Sequence, residues 1–404
     1  MTTIIAKNSN LIRLDSLISE VLGISRAKST NFIHSSKVWV NGNLTLKPSM
    51  QVSQGDKIEI DSYLEQDCKP KKQNLKELLL AKPELSEIAI LHQDSDILII
   101  NKPPNLVIHQ APNLKEPTLQ DWLAFKAKDF GITLPNDMRY GIVHRLDRET
   151  SGALSIAKNA NALISLSNQL KSRQMGRIYL AIVAPPLKSA QTLECYLGRN
   201  PKNRLKITQI GKAVRQEIAK ENLHKFLQSV SKNDGHSHTQ FDSLLQWQPN
   251  ATNHLKDLHN LNARLDFTHL RYAKSAFLPL LTSHSSTMQL IAVKLFTGRT
   301  HQIRAQLESL GRHIIGDSLY GFKLHSQAGK ECNAFLQRAS LAHRIFLHAY
   351  LLYLRHPHNE SDKMSLFRAQ ILADMVEFLQ TFFDWDGVNE ALDTRRILRY
   401  FRAF

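Results

Sequence analysis

"HRLDRETSGALSIAK", residues 144–158, sets one carboxylate, Asp147, between Arg145 and Arg148 and follows it with a Thr-Ser-Gly turn and a β-prone run. The order predicts a polar loop, "MRYGIVHRLDRETSG", feeding the strand "ALSIAK", so the acid stands at a strand's edge. Taken alone, an aspartate between arginines is an ordinary loop ion pair. The flanking sequence has to supply any other reason for it.

Two further polar clusters sit in similar settings. "GRIYLAIV" (176–183) opens a strand with Arg177 and Tyr179. "LFTGRTHQIRAQLESLGRHIIGDSLYG" (295–321) carries Thr297, Gly298, Arg299, His301, Gln302 and Arg304 just after a strand, then helix-like spacing, then Gly316-Asp317. Converged in one fold, these groups suit chemistry on an extruded base: a ring to pack it, a carboxylate for the sugar or ring carbon, and cations for phosphates. An arginine fixed beside the carboxylate favours its ionised form. With one compelling carboxylate, a two-carboxylate glycosidase is disfavoured. No GxxxxGK[ST] or GxGxxG stands in a suitable context, which disfavours nucleotide hydrolysis and dinucleotide redox chemistry.

Composition narrows the partner. The 404 residues hold 52 Lys plus Arg against 36 Asp plus Glu, a formal charge of +16, which suits a polyanion and points to nucleic acid. No apolar run approaches the roughly 20 residues that span a bilayer, and "MTTIIAKNSNLIRLD" lacks a signal peptide's apolar core, so a cytoplasmic protein is expected. Cys68, Cys195 and Cys332 are isolated and show no metal or disulfide spacing.

The length predicts two domains plus extensions. Over residues 1–65 a small α/β unit is expected. "RLDSLISEVLG" places Leu14, Leu17, Ile18, Val21 and Leu22 on one helical face, with Gly23 as the C′ residue. "RAKSTNFIHSS", capped by Ser25, gives a second helix, the Asn41-Gly42 turn of "KVWVNGNLTL" a hairpin, and "GDKIEI" another strand. A Lys-rich linker covers 66–87. Strand-rich sequence follows over 88–384, with a helix over "NANALISLSNQLKSRQ" and a His-, Asn- and Ser-rich insertion at 217–265. The irregular spacing of His224, His236, His238, His254 and His259 argues for a polar excursion and against a metal site. The last stretch, 385–404, carries Arg395, Arg396, Arg399 and Arg402 and reads as an RNA-touching helix or a solvated face. The class is α+β, with a mixed, mostly antiparallel sheet.

The first unit resembles the S4-type (alpha-L) RNA-binding domain, which implies RNA contacts by Arg26, Lys28 and Lys37. From about Ile88 to Phe383, "NKPPNLVIHQ", "HRLDRETSGALSIAK", "RIYLAIV", "LFTGRTHQIRAQLESLGRHIIGDSLYG" and "FLHAYLLYLRHP" together resemble the RluA-type pseudouridine synthases, which isomerise uridine to pseudouridine in RNA. The resemblance implies flanking helices and a central cleft, with Asp147 as catalytic carboxylate, Arg145 in base flipping and Tyr179 in the active site. It implies Arg299 as the arginine paired with Asp147, Arg304 as second choice, and Leu347 as a wall of the uracil pocket. His144 and His301 read as structural, and Lys102 either touches RNA or is solvated. The chain departs from the family pattern at Arg177, where lysine is usual, and in the strand after "GKAV", which lacks an expected threonine. No metal and no cofactor are expected. The implied substrate is large-subunit ribosomal RNA, with transfer RNA as an alternative, acted on by a monomer. A non-catalytic ribosome-associated RNA-binding or assembly factor and an RNA N-glycosylase are the rival functions.

Overall fold

Apolar residues that recur at every second position in β-prone runs make strands, and most of this chain's strands join one sheet. The computed structural model describes residues 2–6, 11–22, 26–60, 82–111, 114, 116–218, 270–338, 341, 343–358 and 363–401. It divides into two units, Met1–Glu77 and Leu78–Phe404.

In the first unit, β1 (Thr2–Ile5), β6 (Lys57–Ile60), β3 (Val38–Val40) and β4 (Asn43–Leu44) form a sheet in that order, and β2 (Ile12–Arg13) pairs with β5 (Gln51–Val52). Helices α1 (Leu14–Leu22) and α2 (Arg26–His34) pack on one another. Leu14, Leu17 and Ile18 of α1 are buried with Ile33, Val38, Val52, Ile58 and Ile60, whereas Val21 of the expected apolar face is exposed. The hairpin turn is as its sequence demands: Asn41 and Gly42 both take positive φ, and Asn41 Nδ2 donates to Asp56 Oδ1 at 2.8 Å. Strand β1 was not anticipated, and the expected caps Gly23 and Ser25 lie outside the described residues.

In the second unit a short helix α3 (Pro83–Ser86) precedes β7 (Ala89–Gln93) and β8 (Ile97–Lys102). Next come α4 (Leu119–Phe130), β9 (Ser151–Ala157), α5 (Ala160–Ser172) and β10 (Gly176–Ala184). Strands β11 (Ala190–Arg199), β12 (Ile207–Ile218), β13 (Arg271–Thr282) and β14 (Gln289–Leu295) follow, then α6 (Gln302–Ser309), β15 (His313–Ile314) and α7 (Gln327–Leu336). The unit closes with β16 (Leu347–Arg355), β17 (Met364–Arg368), α8 (Ala373–Phe382), α9 (Trp385–Ala391) and α10 (Thr394–Tyr400).

Among the described residues these strands make an 11-stranded sheet, ordered β12-β11-β13-β14-β10-β16-β9-β8-β7, with β15 on β10 and β17 on β16. Every pairing is antiparallel except β9 with β16. The expected mixed, mostly antiparallel α+β architecture is therefore present. Strands β12 and β13 both pair with neighbouring strands up to the edge of residues 219–269, which include nearly all of the expected insertion and lie outside the description.

The C-terminal stretch buries an apolar face and leaves Arg395 exposed. Val388, Ala391, Ile397, Leu398 and Phe401 are buried in the cluster that holds Phe346, Phe378 and Leu351, and the Tyr350 hydroxyl donates to the Leu392 carbonyl at 2.8 Å. Helices α9 and α10 are part of the core, with Arg395 beside them at a groove shared with Arg368. Among the described residues no helix is long and apolar enough to cross a membrane.

Candidate active site

Period-2 alternation along neighbouring strands puts Tyr179 of β10 and Leu347 of β16 on one face. Tyr179 lies opposite Ala349 and Leu347 opposite Ala181, a diagonal pair. Strand β9 enters parallel to β16 with Gly152 opposite Ala349, which brings the 144–150 loop to the same end of the sheet. Gly152 holds φ +117, and a Cβ there would lie 2.4 Å from the Ala349 N and O atoms; this close approach admits glycine alone.

The loop is tied down from beneath. Lys102, fully buried, donates from Nζ to the carbonyls of Pro103 (2.7 Å), Leu106 (3.0 Å) and Arg148 (3.1 Å). Neither expectation for this residue holds: it is an internal brace one residue from Asp147. Burial pulls its pKa down to about 7, against the pull of Glu149, while three acceptors match the three N–H groups of an ammonium. Arg344 donates to Asp374 (2.5 Å), to the Glu149 carbonyl (3.5 Å) and to Ser151 Oγ (3.4 Å). His348 accepts on Nδ1 from Ser151 Oγ at 2.9 Å and faces the Ala369 carbonyl with Nε2.

His144 is buried, accepting on Nε2 from the Ser155 N–H at 3.1 Å, with Arg177 Nη1 2.9 Å from Nδ1. Burial, then Arg177, pushes its pKa well below the ordinary value, and burial takes His348 down to about 4. Each depressed imidazole stays neutral when folded while the unfolded chain takes up its proton below about pH 6.5. Stability from these groups is therefore present near neutrality and lost as pH falls from about 6.5 toward 4. His348 alone is expected to cost about 2 kcal/mol by pH 5. Urea midpoints at pH 7, 6 and 5 check this, and midpoints independent of pH contradict it.

Above the loop lies an open cleft. Arg145, Asp147, Tyr179, Arg299, Arg304 and Leu347 all line it. Arg145 is exposed at its mouth, while Tyr179 and Leu347 are buried in its wall. Burial raises the pKa of the Tyr179 phenol, as does the charge of Asp147, while Arg177 acts the other way; the hydroxyl keeps its proton at neutral pH.

The arginine beside the carboxylate is Arg304, not the first-choice Arg299. Arg304 Nη1 stands 3.7 Å from Asp147 Oδ2 and 3.6 Å from Glu149 Oε2, while its Nε and Nη2 donate to Asp317 at 2.7 and 2.8 Å. Burial opposes the guanidinium charge, but the carboxylates around it, Asp317 foremost, hold its pKa above the ordinary value. Arg299 instead donates from Nε to the Tyr272 carbonyl at 3.0 Å. The switch follows from local backbone: His301 takes φ 50, the helix begins at Gln302, and Arg304 falls on its inward face. Gln302 fixes the turn, its Oε1 accepting from Thr297 Oγ1 and Arg299 N.

His301 is closer to the chemistry than its structural reading implied. The Tyr320 hydroxyl accepts from the Ile207 N–H at 2.8 Å and shares a hydrogen bond with His301 Nδ1, 2.9 Å away. The imidazole, whose pKa burial lowers, turns Nε2 toward Asp147, 3.9 Å from Oδ1. Glu149 and Asp317 completed the Arg304 network without being assigned parts in it. Their signal was modest, since carboxylates near arginines abound in a basic chain.

A second cleft shares Arg177, Leu295, Gly298 and Arg299 with the first and adds Lys171, Arg173 and Lys294. Its lining includes no carboxylate. In the first unit Arg26 is already paired, its Nε 3.1 Å from buried Asp15, which also holds Arg13. Lys37 is partly exposed, and the Lys28 side chain lies outside the description.

Residues 96–309 match the family model described as RNA pseudouridylate synthase. An "Uncharacterized RNA pseudouridine synthase" of Helicobacter pylori is 38% identical over 392 residues, covering 97% of this chain and 96% of that one. The "Ribosomal large subunit pseudouridine synthase D" of Haemophilus ducreyi is 26% identical over 371 residues, covering 91% and 90%. The solved structure "Human RNA Pseudouridylate Synthase Domain Containing 4" aligns with a TM-score of 0.47 at 20% identity over 76% of this chain and 96% of that one. With a family model across more than half its length and a relative this similar along nearly all of it, the chain belongs to the RNA pseudouridylate synthases, a family of isomerases.

Proposed function

We propose that this chain isomerises uridine to pseudouridine in large-subunit ribosomal RNA, with Asp147 as the carboxylate that acts on the extruded nucleotide. The observation that carries the reading is a carboxylate beside a buried, always charged arginine, with a tyrosine ring and leucine in the same cleft and a basic annex next to it. The ionised Asp147 either attacks the anomeric carbon of the sugar, adds at carbon 6 of uracil, or removes a sugar proton, and the N-glycosidic bond breaks. The uracil turns between Tyr179 and Leu347 and rejoins the sugar through carbon 5, whose proton leaves. Tyr179 packs against the ring, and its protonated hydroxyl takes part in that last transfer only by passing its own proton on as it receives the one from carbon 5. No atom is gained or lost, so the reaction calls for neither redox partner nor nucleotide.

Arg145 at the mouth takes the space the base vacates. The annex cations, Arg299 among them, hold phosphates to either side of the target. The first unit acts as an S4-type RNA-binding domain through Lys28 and Lys37, with Arg26 held in its ion pair. The choice of large-subunit ribosomal RNA rests on the name carried by the Haemophilus ducreyi relative and its kin.

The substrate is tested by mapping pseudouridines in the RNA of cells with and without the gene. Loss of one or more large-subunit positions, restored by the wild-type gene, is expected. An unchanged ribosomal map with losses confined to transfer RNA contradicts the substrate, and no loss anywhere contradicts the activity.

A further inference from the structure

At the end of β8 remote from Asp147, three side chains able to ligate a metal, Asp94, Asp96 and His356, converge on one turn, with His92 against Asp94 and His358 against Asp96. Register fixes the distance: Lys102 pairs with Gly152 beside the loop and Ile97 with Ala157, five residues or about 17 Å away. The turn before Ile97 carries Asp94 and Asp96. Asp94 Oδ1 accepts from the backbone N–H groups of Asp96 and Ile97, both at 2.8 Å, which fixes the carboxylate and presents Oδ2 outward. Two imidazoles meet that oxygen: His92 Nε2 at 2.5 Å and His356 Nε2 at 2.9 Å. His358 Nδ1 lies 3.3 Å from Asp96 Oδ1, and Asp96 is 2% exposed. Ligand atoms of Asp94, Asp96 and His356 all fall within 4.8 Å of one another.

We propose that His92, Asp94, Asp96, His356 and His358 form a binding site for a divalent transition metal ion of the zinc class. Tetrahedral ligands at about 2.0–2.1 Å from zinc stand about 3.3 Å apart, the His358–Asp96 separation, while His356 and His92, which hydrogen-bond Asp94 at 2.9 and 2.5 Å, have to open by several tenths of an ångström to share an ion with it. Imidazole nitrogen with carboxylate oxygen is a donor set for zinc, whereas calcium and magnesium take oxygen. The outer contacts also suit a site. Phe367 packs on the His92 ring with centroids 5.1 Å apart, Asn159 Nδ2 and Ser95 Oγ bond Asp96 at 2.8 and 2.7 Å, and Lys158 Nζ donates to the Asp94 carbonyl. Bound there, the ion joins the β7–β8 turn to the segment after β16, more than 250 residues further on.

The test is equilibrium dialysis of chelator-treated full-length protein against zinc chloride, with magnesium chloride as control. The wild type is expected to hold a zinc equivalent that magnesium does not replace. The double variant His92→Ala, His358→Ala removes two partly exposed ligands and leaves the Asp94 turn intact, so it is expected to fold. It should lose that equivalent or bind it about tenfold or more weakly, and the zinc-induced rise in melting temperature should vanish. Because histidines at 224–259 can bind zinc elsewhere, unchanged stoichiometry and affinity in the double variant overturns the proposal. So does a wild type that binds no zinc.

Discussion

Arg304→Met is expected to lower pseudouridine formation by about 10²–10³-fold or more and to destabilise the second unit by about 3–5 kcal/mol. Both losses have one cause. The guanidinium gives Nε and Nη2 to Asp317, which is 1% exposed, and turns Nη1 toward Asp147 and Glu149. Removing it leaves Asp317 a buried charge without its fork and leaves Asp147 and Glu149 without the cation that both face. Arg304→Lys separates the parts, because it keeps the charge and loses the bidentate geometry. It should retain more stability than the methionine variant while remaining far below wild-type turnover. Steady-state rates and urea midpoints for both variants check this, and wild-type turnover in a normally stable Arg304→Met protein contradicts it.

Much of this arrangement was legible in the sequence. The hairpin at Asn41-Gly42, the β-runs flanking Asp94–Asp96 and the strand after Gly152 follow from turn chemistry and alternation, the first in the small sheet and the others in the large one. That Asp147, Arg145 and Tyr179 share a cleft followed from motifs at strand ends, and the place of Leu347 there from the family resemblance. Which arginine faces the carboxylate did not. Arg299 and Arg304 stand five residues apart in one motif, and the choice turns on His301 adopting a left-handed conformation that few histidines take.

Lys102 was illegible for a different reason: lysine is almost never fully buried, so solvation is the reasonable expectation until three carbonyls are found around it. In the C-terminal stretch the arginines drew attention away from Val388, Ile397, Leu398 and Phe401, whose spacing marks a buried face. The histidine-rich insertion drew the search for metal ligands, whereas the histidines that meet carboxylates lie at 92, 356 and 358, far apart in sequence and joined by the sheet.

The claim at the centre is that the Asp147 carboxylate performs the chemistry and other groups hold the RNA. Asparagine keeps the shape of that side chain and removes its charge. The measurement is single-turnover pseudouridine formation by Asp147→Asn at saturating RNA, with RNA affinity read in parallel. Turnover is expected to fall by at least about 10⁴-fold, the scale set by loss of an essential nucleophile or base. Affinity should stay within about twofold, since phosphate contacts dominate it and the proposal assigns them to the annex and the first unit. Turnover within about tenfold of wild type, at normal affinity, would contradict the account.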